Sequence, residues 1–190
     1  MAEILLFHHA RGLTPGVQRF ADVLRAAGHT VHVPDLYEGR IFDDTGSGVA
    51  HMHELGQETV MRRGSAAAAG LPDGLVYAGM SMGCGVATWL ALVDRPGSAR
   101  AMLFLFGAPD PRWFETDWPA GLPAIALQTL DDPWREDSED AGFRERVPGG
   151  ELVDYPGGGH LFLDDSTDDY DPAVAAQATE RVLGWLAGLA

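Results

Sequence analysis

The clearest sign of chemistry in this sequence is a serine enclosed by glycines, in the segment GMSMG at positions 79 to 83. The pattern Gly-x-Ser-x-Gly is typical of a nucleophile elbow when it follows a strand and opens a helix, and both are predicted here. Such a turn strains the nucleophile's backbone, and the residues two before and two after it must be small. Gly79 and Gly83 meet that demand, which predicts Ser81 as the nucleophile.

The same stretch has two alternative interpretations, and both are weaker. Cys84 lacks a glycine two positions before it, because Met82 stands there, and we expect its side chain to lie in the first helical turn as a small apolar group. A phosphate-binding turn is disfavoured because the chain has neither Gly-x-Gly-x-x-Gly nor a Walker lysine at this point.

A serine hydroxyl needs a base, and the base needs an orienting group. In elbow-containing folds the acid and the histidine follow the serine, on loops at the carboxyl ends of later strands. His160 follows the strand-like ELVDY and the glycines 157–159, which predicts it as the base. Asp132 precedes a proline that restricts it to extended geometry, so we predict it as the orienting acid, with Asp131 as the alternative.

Two backbone amides are needed to stabilise the negative oxygen that forms when a carbonyl is attacked. The residue after the nucleophile supplies one of them in this arrangement, which is Met82. The second comes from the loop after the first strand, here HHARG, where Ala10 is the candidate.

Strand-like and helix-like segments alternate along the chain. The predicted strands lie in EILLFHHA, HTVHVPDL, DGLVYAG, RAMLFLFGAP, LPAIALQTL and ELVDY. Apolar runs without alternation are typical of parallel strands covered on both faces. We therefore predict one α/β domain over residues 1–190, with a doubly wound, mostly parallel sheet of about six strands and helices on both faces.

Helix signals are strong at both ends of the chain and weaker in the middle. Thr14 and Pro15 begin a predicted helix that Gly28 closes, and PAVAAQATERVLGWLAGL predicts a terminal helix. Residues 39–48 are predicted as a polar loop, followed by a helix in HMHELGQETVMRRGSAAAAG that its glycines weaken. A further helix is predicted in SMGCGVATWLALVDRPG, directly after the elbow.

Composition excludes several classes of function. A formal charge of −15 with only 13 basic residues argues against nucleic-acid binding. No segment approaches the ~20 apolar residues of a membrane span, and no secretory signal is apparent. The lone cysteine fits a cytoplasmic location. His51 and His53 are poorly spaced for a shared metal, so neither a metal nor another cofactor is expected.

Four segments of the chain together resemble one known family. In the segments LLFHHARGLTPGVQRFADVLRAAGHTVHVPDLYEGR, YAGMSMGCGVA, LDDPW and YPGGGHLFLDDSTDDYD, the chain is similar to the dienelactone hydrolase family of the α/β-hydrolase superfamily. The resemblance covers nearly the whole length. It implies a minimal α/β hydrolase without a lid domain, which hydrolyses an ester or lactone through an acyl-enzyme.

The sequence departs from that family at two positions. Characterised members resemble this pattern but carry a cysteine at the elbow, where Ser81 stands, and a glutamate after the first strand, where we place His9. Their joint replacement suggests a conventional serine mechanism and puts the dienelactone substrate in doubt. Arginines hold the substrate carboxylate in the family, and Arg11 and Arg40 are the basic residues that we expect near the site.

Other residues have both a functional and an ordinary interpretation. His9 and Trp134 are candidates for contacting the substrate, although aromatic residues such as Trp113, Phe114, Trp118 and Trp134 could equally serve core or loop packing. The aspartate-rich FLDDSTDDYD is expected to be a solvated loop, with cation binding or shielding of the site edge as alternatives.

These observations together predict a cytoplasmic serine hydrolase that acts on a small-molecule ester or lactone through Ser81, His160 and Asp132. The alternatives are a small-acyl thioesterase, a binding protein that keeps the α/β-hydrolase fold without turnover, and a nucleotide-binding or flavodoxin-like domain. The oligomeric state is open, with a homodimer as one alternative.

Overall fold

A single parallel sheet occupies the centre of the computed structural model, which describes residues 1–157 and 159–189. Within these residues six strands pair in parallel, in the order β2-β1-β3-β4-β5-β6. The strands are β1 (Glu3–Phe7), β2 (Thr30–His32), β3 (Leu75–Met80), β4 (Ala99–Leu105), β5 (Ala124–Thr129) and β6 (Glu151–Tyr155). The domain predicted over residues 1–190 also includes Gly158 and Ala190, which lie outside the described residues.

Helices cover both faces of this sheet. They are α1 (Pro15–Ala26), α2 (Thr45–Leu55), α3 (Gln57–Ala68), α4 (Met82–Trp89), α5 (Asp137–Arg146) and α6 (Pro172–Gly188). One core cluster packs α1 and α6 against the sheet, and a second packs α3, α4 and α5 against its other face. The strand order reverses at β1, so the sheet is doubly wound as predicted, and its carboxyl edge forms the crevice where such folds bind ligands.

Local sequence explains the helices and strands that were predicted correctly. The Thr14 hydroxyl accepts a hydrogen bond from the amide of Val17, and Pro15 occupies the first turn of α1. Strands β3 and β5 are buried along their whole length, as their continuous apolar runs indicated. Within the described residues, no helix has both the length and the apolar composition needed to span a bilayer.

The segment between β2 and β3 differs from the prediction. The expected single helix is two helices, because Gly56 adopts a φ of 81° and ends α2 before α3 begins. Helix α2 also starts inside the predicted polar loop, since the carboxylate of Asp44 accepts a 2.8 Å hydrogen bond from the amide of Ser47. Helix α5 was not predicted at all; its sequence is polar and lacks a clear apolar stripe.

Asp171 caps α6 by accepting hydrogen bonds from the amides of Ala173 and Val174, at 2.9 and 3.1 Å. We predict that Asp171→Ala lowers the free energy of unfolding by about 1 kcal/mol, since both amides lose their acceptor. Urea unfolding measures this change. The control is Asp168→Ala, an exposed residue of the same segment, and an equal loss in both variants would contradict the prediction.

Candidate active site

The elbow serine lies at the carboxyl edge of the sheet, in the turn that joins β3 to α4. Ser81 has φ 50° and ψ −113°, a conformation that residues with a side chain rarely adopt. Its amide donates a 2.8 Å hydrogen bond to the carbonyl of Leu105 at the end of β4, which holds the turn against the neighbouring strand. The backbone strain predicted for a nucleophile elbow is therefore present at this serine.

Two glycines make this turn sterically feasible. A Cβ added to Gly79 would lie 2.2 Å from the carbonyl oxygen of Gly83, and one added to Gly83 would lie 2.4 Å from the carbonyl oxygen of Phe7. Both distances are far below van der Waals contact and both involve backbone atoms, which have little freedom to move. The close approach of β1, β3 and α4 therefore requires glycine at these two positions.

The three predicted catalytic side chains form one continuous hydrogen-bonded chain. Ser81 Oγ lies 2.7 Å from His160 Nε2, and His160 Nδ1 lies 2.7 Å from Asp132 Oδ2. The remaining carboxylate oxygen of Asp132 accepts a 2.8 Å hydrogen bond from the amide of Trp134. Asp131, the alternative acid, is exposed, so the structure places Asp132 and not Asp131 at the histidine.

The loops that carry the acid and the base follow β5 and β6, as predicted. Burial of His160 and Asp132 strengthens their interaction, because few water molecules compete for these atoms. The hydroxyl of Thr129 donates a 3.2 Å hydrogen bond to the carbonyl of Gly159, which ties the histidine loop to the end of β5. The predicted glycine run before His160 includes Gly158, which lies outside the described residues.

This arrangement is suited to general base chemistry. A carboxylate can only accept a hydrogen bond, so Asp132 fixes the proton of His160 on Nδ1. Nε2 is then free to accept the proton of the Ser81 hydroxyl. The aromatic rings of Phe106 and Trp134 flank the imidazole, with ring centroids 6.0 and 6.2 Å away.

Both predicted oxyanion-hole residues border the same cavity as the serine. Met82 is the first residue of α4, where an amide has no acceptor inside the helix, and Ala10 lies in the loop after β1. Among the described residues, neither amide donates a hydrogen bond to another group. These two N–H groups therefore remain available for a ligand oxygen.

A cavity of about 520 Å³ opens over Ser81 and His160. Part of its wall is apolar and comes from α2, α3 and the loop after β4, through Met52, Val60, Met61, Trp113 and Phe114. Trp134 also borders it, as predicted. Trp118 does not, because it is buried and its indole N–H donates to the carbonyl of Leu122 at 2.9 Å. Cavities of this size and character accommodate small organic molecules.

Three of the predicted substrate-binding residues do not border the cavity. His9 is fully buried and both of its ring nitrogens have protein partners, so no ligand reaches it. Arg11 donates from Nε to the carbonyl of Phe42 at 3.0 Å. Arg40 is exposed beside His51 and does not border the cavity. The structure therefore does not bring these three residues to the cavity. The side chains of His9 and Arg11, in the loop after β1, bond to Asp164 and Phe42, and Arg40 lies in the segment after β2.

Apart from Asp132, the charged residues that border the cavity were not predicted from the sequence. They are Arg135 before α5 and the acidic residues Glu136, Glu139 and Asp140. Arg135 is already paired, with its guanidinium 2.6 Å from Asp140 and 3.5 Å from Asp154. Burial, together with nearby Glu136 and Asp140, raises the pKa of Glu139 to about 7. Glu139 and Asp140 were missed because α5, the helix that contains them, was not predicted.

The neighbouring thiol is unsuited to nucleophilic attack. Burial raises the pKa of Cys84 to about 12, which keeps the sulfur protonated at neutral pH. Its Sγ lies 3.2 Å from the carbonyl oxygen of Gly79 and 3.4 Å from that of Leu105. Its place in the first turns of α4 agrees with the interpretation of Cys84 as a small buried residue.

Comparison with known proteins agrees with this architecture. The model of the dienelactone hydrolase family matches residues 1–189. The chain is similar to a dienelactone hydrolase-like promiscuous phosphotriesterase from metagenomic libraries, with a TM-score of 0.75 and 17% identity, covering 100% of this chain and 87% of that chain. For a dienelactone hydrolase from Anabaena variabilis the TM-score is 0.68 and the identity 17%, over 99% of this chain and 86% of the other.

A third solved structure has a different printed activity. The Vlm2 thioesterase domain matches with a TM-score of 0.62 and 16% identity, covering 95% of each chain. At such low identity these structures show the α/β-hydrolase fold and not a shared substrate. Among curated proteins, no sequence matches this chain.

The steric requirement at the elbow can be tested by adding one methyl group. We predict that Gly83→Ala lowers the free energy of unfolding by about 1 to 3 kcal/mol or more, because its Cβ would overlap the backbone of β1. The matched control is Gly85→Ala in the same helix, where an added Cβ has nothing within 4 Å. Thermal unfolding of both variants measures the difference. A Gly83→Ala variant as stable as Gly85→Ala would contradict the steric argument.

Proposed function

The chain belongs to the dienelactone hydrolase family, and on this premise we propose that it is a serine hydrolase that cleaves a small ester or lactone through an acyl-enzyme. The observation that carries the proposal is the hydrogen-bonded chain from Asp132 through His160 to Ser81. It ends at the floor of a cavity that two unpaired amides also border. These contacts support the roles proposed for Ser81 as nucleophile, His160 as base, Asp132 as orienting acid and the two amides as oxyanion donors.

Acylation begins with attack of Ser81 Oγ on the substrate carbonyl while His160 Nε2 accepts the hydroxyl proton. Asp132 stabilises the imidazolium that forms and keeps the ring in the required orientation. The amides of Met82 and Ala10 bind the negatively charged oxygen of the tetrahedral intermediate. Losing one such donor typically costs about 2.7 to 4 kcal/mol of transition-state stabilisation.

Collapse of the intermediate then releases the alcohol and leaves the acyl group on Ser81. His160 donates its proton to the leaving oxygen, and in the second half-reaction it removes a proton from the attacking water. A lactone follows the same steps, except that the leaving hydroxyl remains part of the acyl group, so nothing is released until water cleaves the bond to Ser81 and frees the hydroxy acid.

The charges around the cavity favour an uncharged or cationic substrate. Its one bordering arginine, Arg135, is neutralised by Asp140 and Asp154, whereas Glu136 and Glu139 have no cationic partner among the described residues. A substrate carboxylate would therefore meet negative charge without a compensating arginine. This supports esters and lactones without a carboxylate over dienelactone itself.

Two alternatives remain distinct from this proposal. A small-acyl thioesterase would use the same residues, and the fold similarity to a thioesterase domain and the apolar wall of the cavity are compatible with it. A binding protein without turnover would not need a strained serine bonded to a buried histidine, so these features disfavour it. The family assignment replaces the nucleotide-binding interpretation of the sequence.

The role of Ser81 is tested by replacing Ser81 and, in a separate variant, the nearby Cys84. We predict that Ser81→Ala lowers kcat for short acyl esters by several orders of magnitude, on the order of 10⁶ for a fully coupled triad. Cys84→Ala should keep most of the activity, because the buried thiol is protonated. A fluorophosphonate probe, followed by mass mapping, should label Ser81 alone. Labelling at Cys84, or an active Ser81→Ala variant, would refute the serine mechanism.

The effect of charge is tested with esters of matched size that carry no charge, a carboxylate or an ammonium group. We predict that Glu139→Gln raises kcat/KM for the carboxylate ester relative to the uncharged one by about 3- to 30-fold, the effect of one charge several ångströms away. Because the pKa of Glu139 is about 7, the wild-type enzyme should discriminate more strongly against the carboxylate ester as pH rises through that value.

Helix α5 offers a matched control for this experiment. Glu145 is exposed on the same helix and pairs with Arg146 at 2.6 Å, away from the cavity. Glu145→Gln should leave the ratio and its pH dependence as in the wild type. Equal ratios in the wild type and Glu139→Gln at pH 8 would show that Glu139 does not influence substrate charge.

A further inference from the structure

A second histidine–aspartate pair lies behind the candidate active site and takes no part in the mechanism above. His9 Nε2 is 2.8 Å from Asp164 Oδ2, and both side chains are fully buried. His9 belongs to the loop after β1, and Asp164 lies four residues after His160. Neither residue borders the cavity, so neither can contact a substrate. The pair therefore joins two loops that each carry a group of the candidate site.

Hydrogen-bond partners fix the tautomer of His9. The amide of Arg11 donates a 3.2 Å hydrogen bond to His9 Nδ1, which must therefore carry no proton. The ring proton is then on Nε2, where it is donated to the carboxylate of Asp164. Burial lowers the pKa of His9 although Asp164 opposes this change, and the lowered pKa favours the neutral ring.

Asp164 is held as a carboxylate by a complete set of donors. Besides His9, the hydroxyl of Thr14, the amide of Ser166 and the hydroxyl of Ser166 donate to it. Burial opposes ionisation, but these hydrogen bonds together hold the pKa of Asp164 well below its usual range. Gly16 leaves the space that this carboxylate fills, since a Cβ there would lie 1.8 Å from Asp164 Oδ1.

The position of the pair relates it directly to Ala10. That residue lies between His9 and Arg11, the two residues joined by the hydrogen bond to His9 Nδ1. The ring of His9 thus holds the Ala10–Arg11 peptide, which adjoins the peptide that carries the Ala10 N–H. On the other side of the pair, the amide of Asp164 donates a 2.8 Å hydrogen bond to the carbonyl of Leu161, next to His160.

We propose that His9 and Asp164 are positioning residues, which hold the Ala10 amide in register with His160 and Ser81 so that it can stabilise the oxyanion. This inference rests on the proposed serine hydrolase function. A purely structural role would make the pair matter for stability alone. A positioning role makes it matter for the transition state, because a donor displaced by about 1 Å costs on the order of 10² in rate.

The test is Asp164→Asn, which keeps the size and one acceptor oxygen but puts an amide where the charge was. The neutral amide attracts the Nε2 proton of His9 less strongly than the carboxylate does. A proton on Nδ1 instead would break the hydrogen bond from the Arg11 amide. We expect kcat for a short uncharged ester to fall about 10²-fold, with KM changed less than about threefold. Labelling of Ser81 by a fluorophosphonate, whose phosphoryl oxygen also develops negative charge, should slow in parallel.

Asp165→Asn is the matched control, because Asp165 is adjacent in the chain but forms a surface ion pair with Arg19. It should behave as the wild type in kcat, KM and labelling. Circular dichroism and thermal unfolding identify any loss of folded protein, so that rates refer to folded enzyme. Unchanged kcat and labelling in a folded Asp164→Asn variant would overturn the proposal.

A measurement on the wild-type protein covers the case in which the variant does not fold. Nitrogen-15 NMR of the imidazoles should show His9 as the neutral tautomer protonated on Nε2 across pH 6 to 8, roughly the range around its ordinary pKa. A proton on Nδ1, or a charged ring, would overturn the proposal. If the serine hydrolase proposal itself were wrong, the result would be distinguishable, because the wild type would neither hydrolyse esters nor be labelled at Ser81.

Discussion

The contact between the backbone of Gly83 and the carbonyl of Phe7 is the constraint on which the rest of the site depends. It brings the first turn of α4 against the end of β1, at a distance that no side chain permits. Because of this contact, the serine turn and the loop that contains Ala10 lie at the same point of the sheet edge. The hydrogen bond from Ser81 to Leu105 fixes the turn on its other side. The remaining residues of the site only have to reach this fixed point.

They reach it from strands that could be predicted from the sequence. The apolar runs of β3, β4 and β5 and the cap at Thr14 predicted the alternating architecture, since each depends on signals within a few residues. Ser81, Asp132 and His160 were recognisable for a similar reason: each follows a strand, and parallel strands end at one edge. The geometry brings these three together, and the hydrogen bond to His160 distinguishes Asp132 from Asp131.

The residues that set the charge of the cavity could not be predicted in this way. Glu139 lies on α5, whose polar sequence hides it from a search for apolar periodicity, and its proximity to the serine arises only when the helix packs. Arg11 and Arg40 failed for the converse reason. They follow β1 and β2 in the chain, but the direction of a side chain in a loop depends on distant contacts, such as the one from Arg11 to Phe42. The aspartate-rich segment also differs in part from its prediction. Its composition predicted a solvated loop, but its first aspartate, Asp164, is buried against His9.

The link between His9 and Asp164 also has a consequence for biosynthesis. These residues are 155 positions apart, so a chain growing from its amino terminus completes the loop after β1 long before its buried partner exists. Pairing of β1 with β3 likewise waits for a distant segment. A ribosome-bound chain therefore exposes the loop after β1 without Asp164, and Ser81 without His160, until nearly all of the protein has emerged. Hydrolytic competence would then be acquired late, as one of the last events of folding.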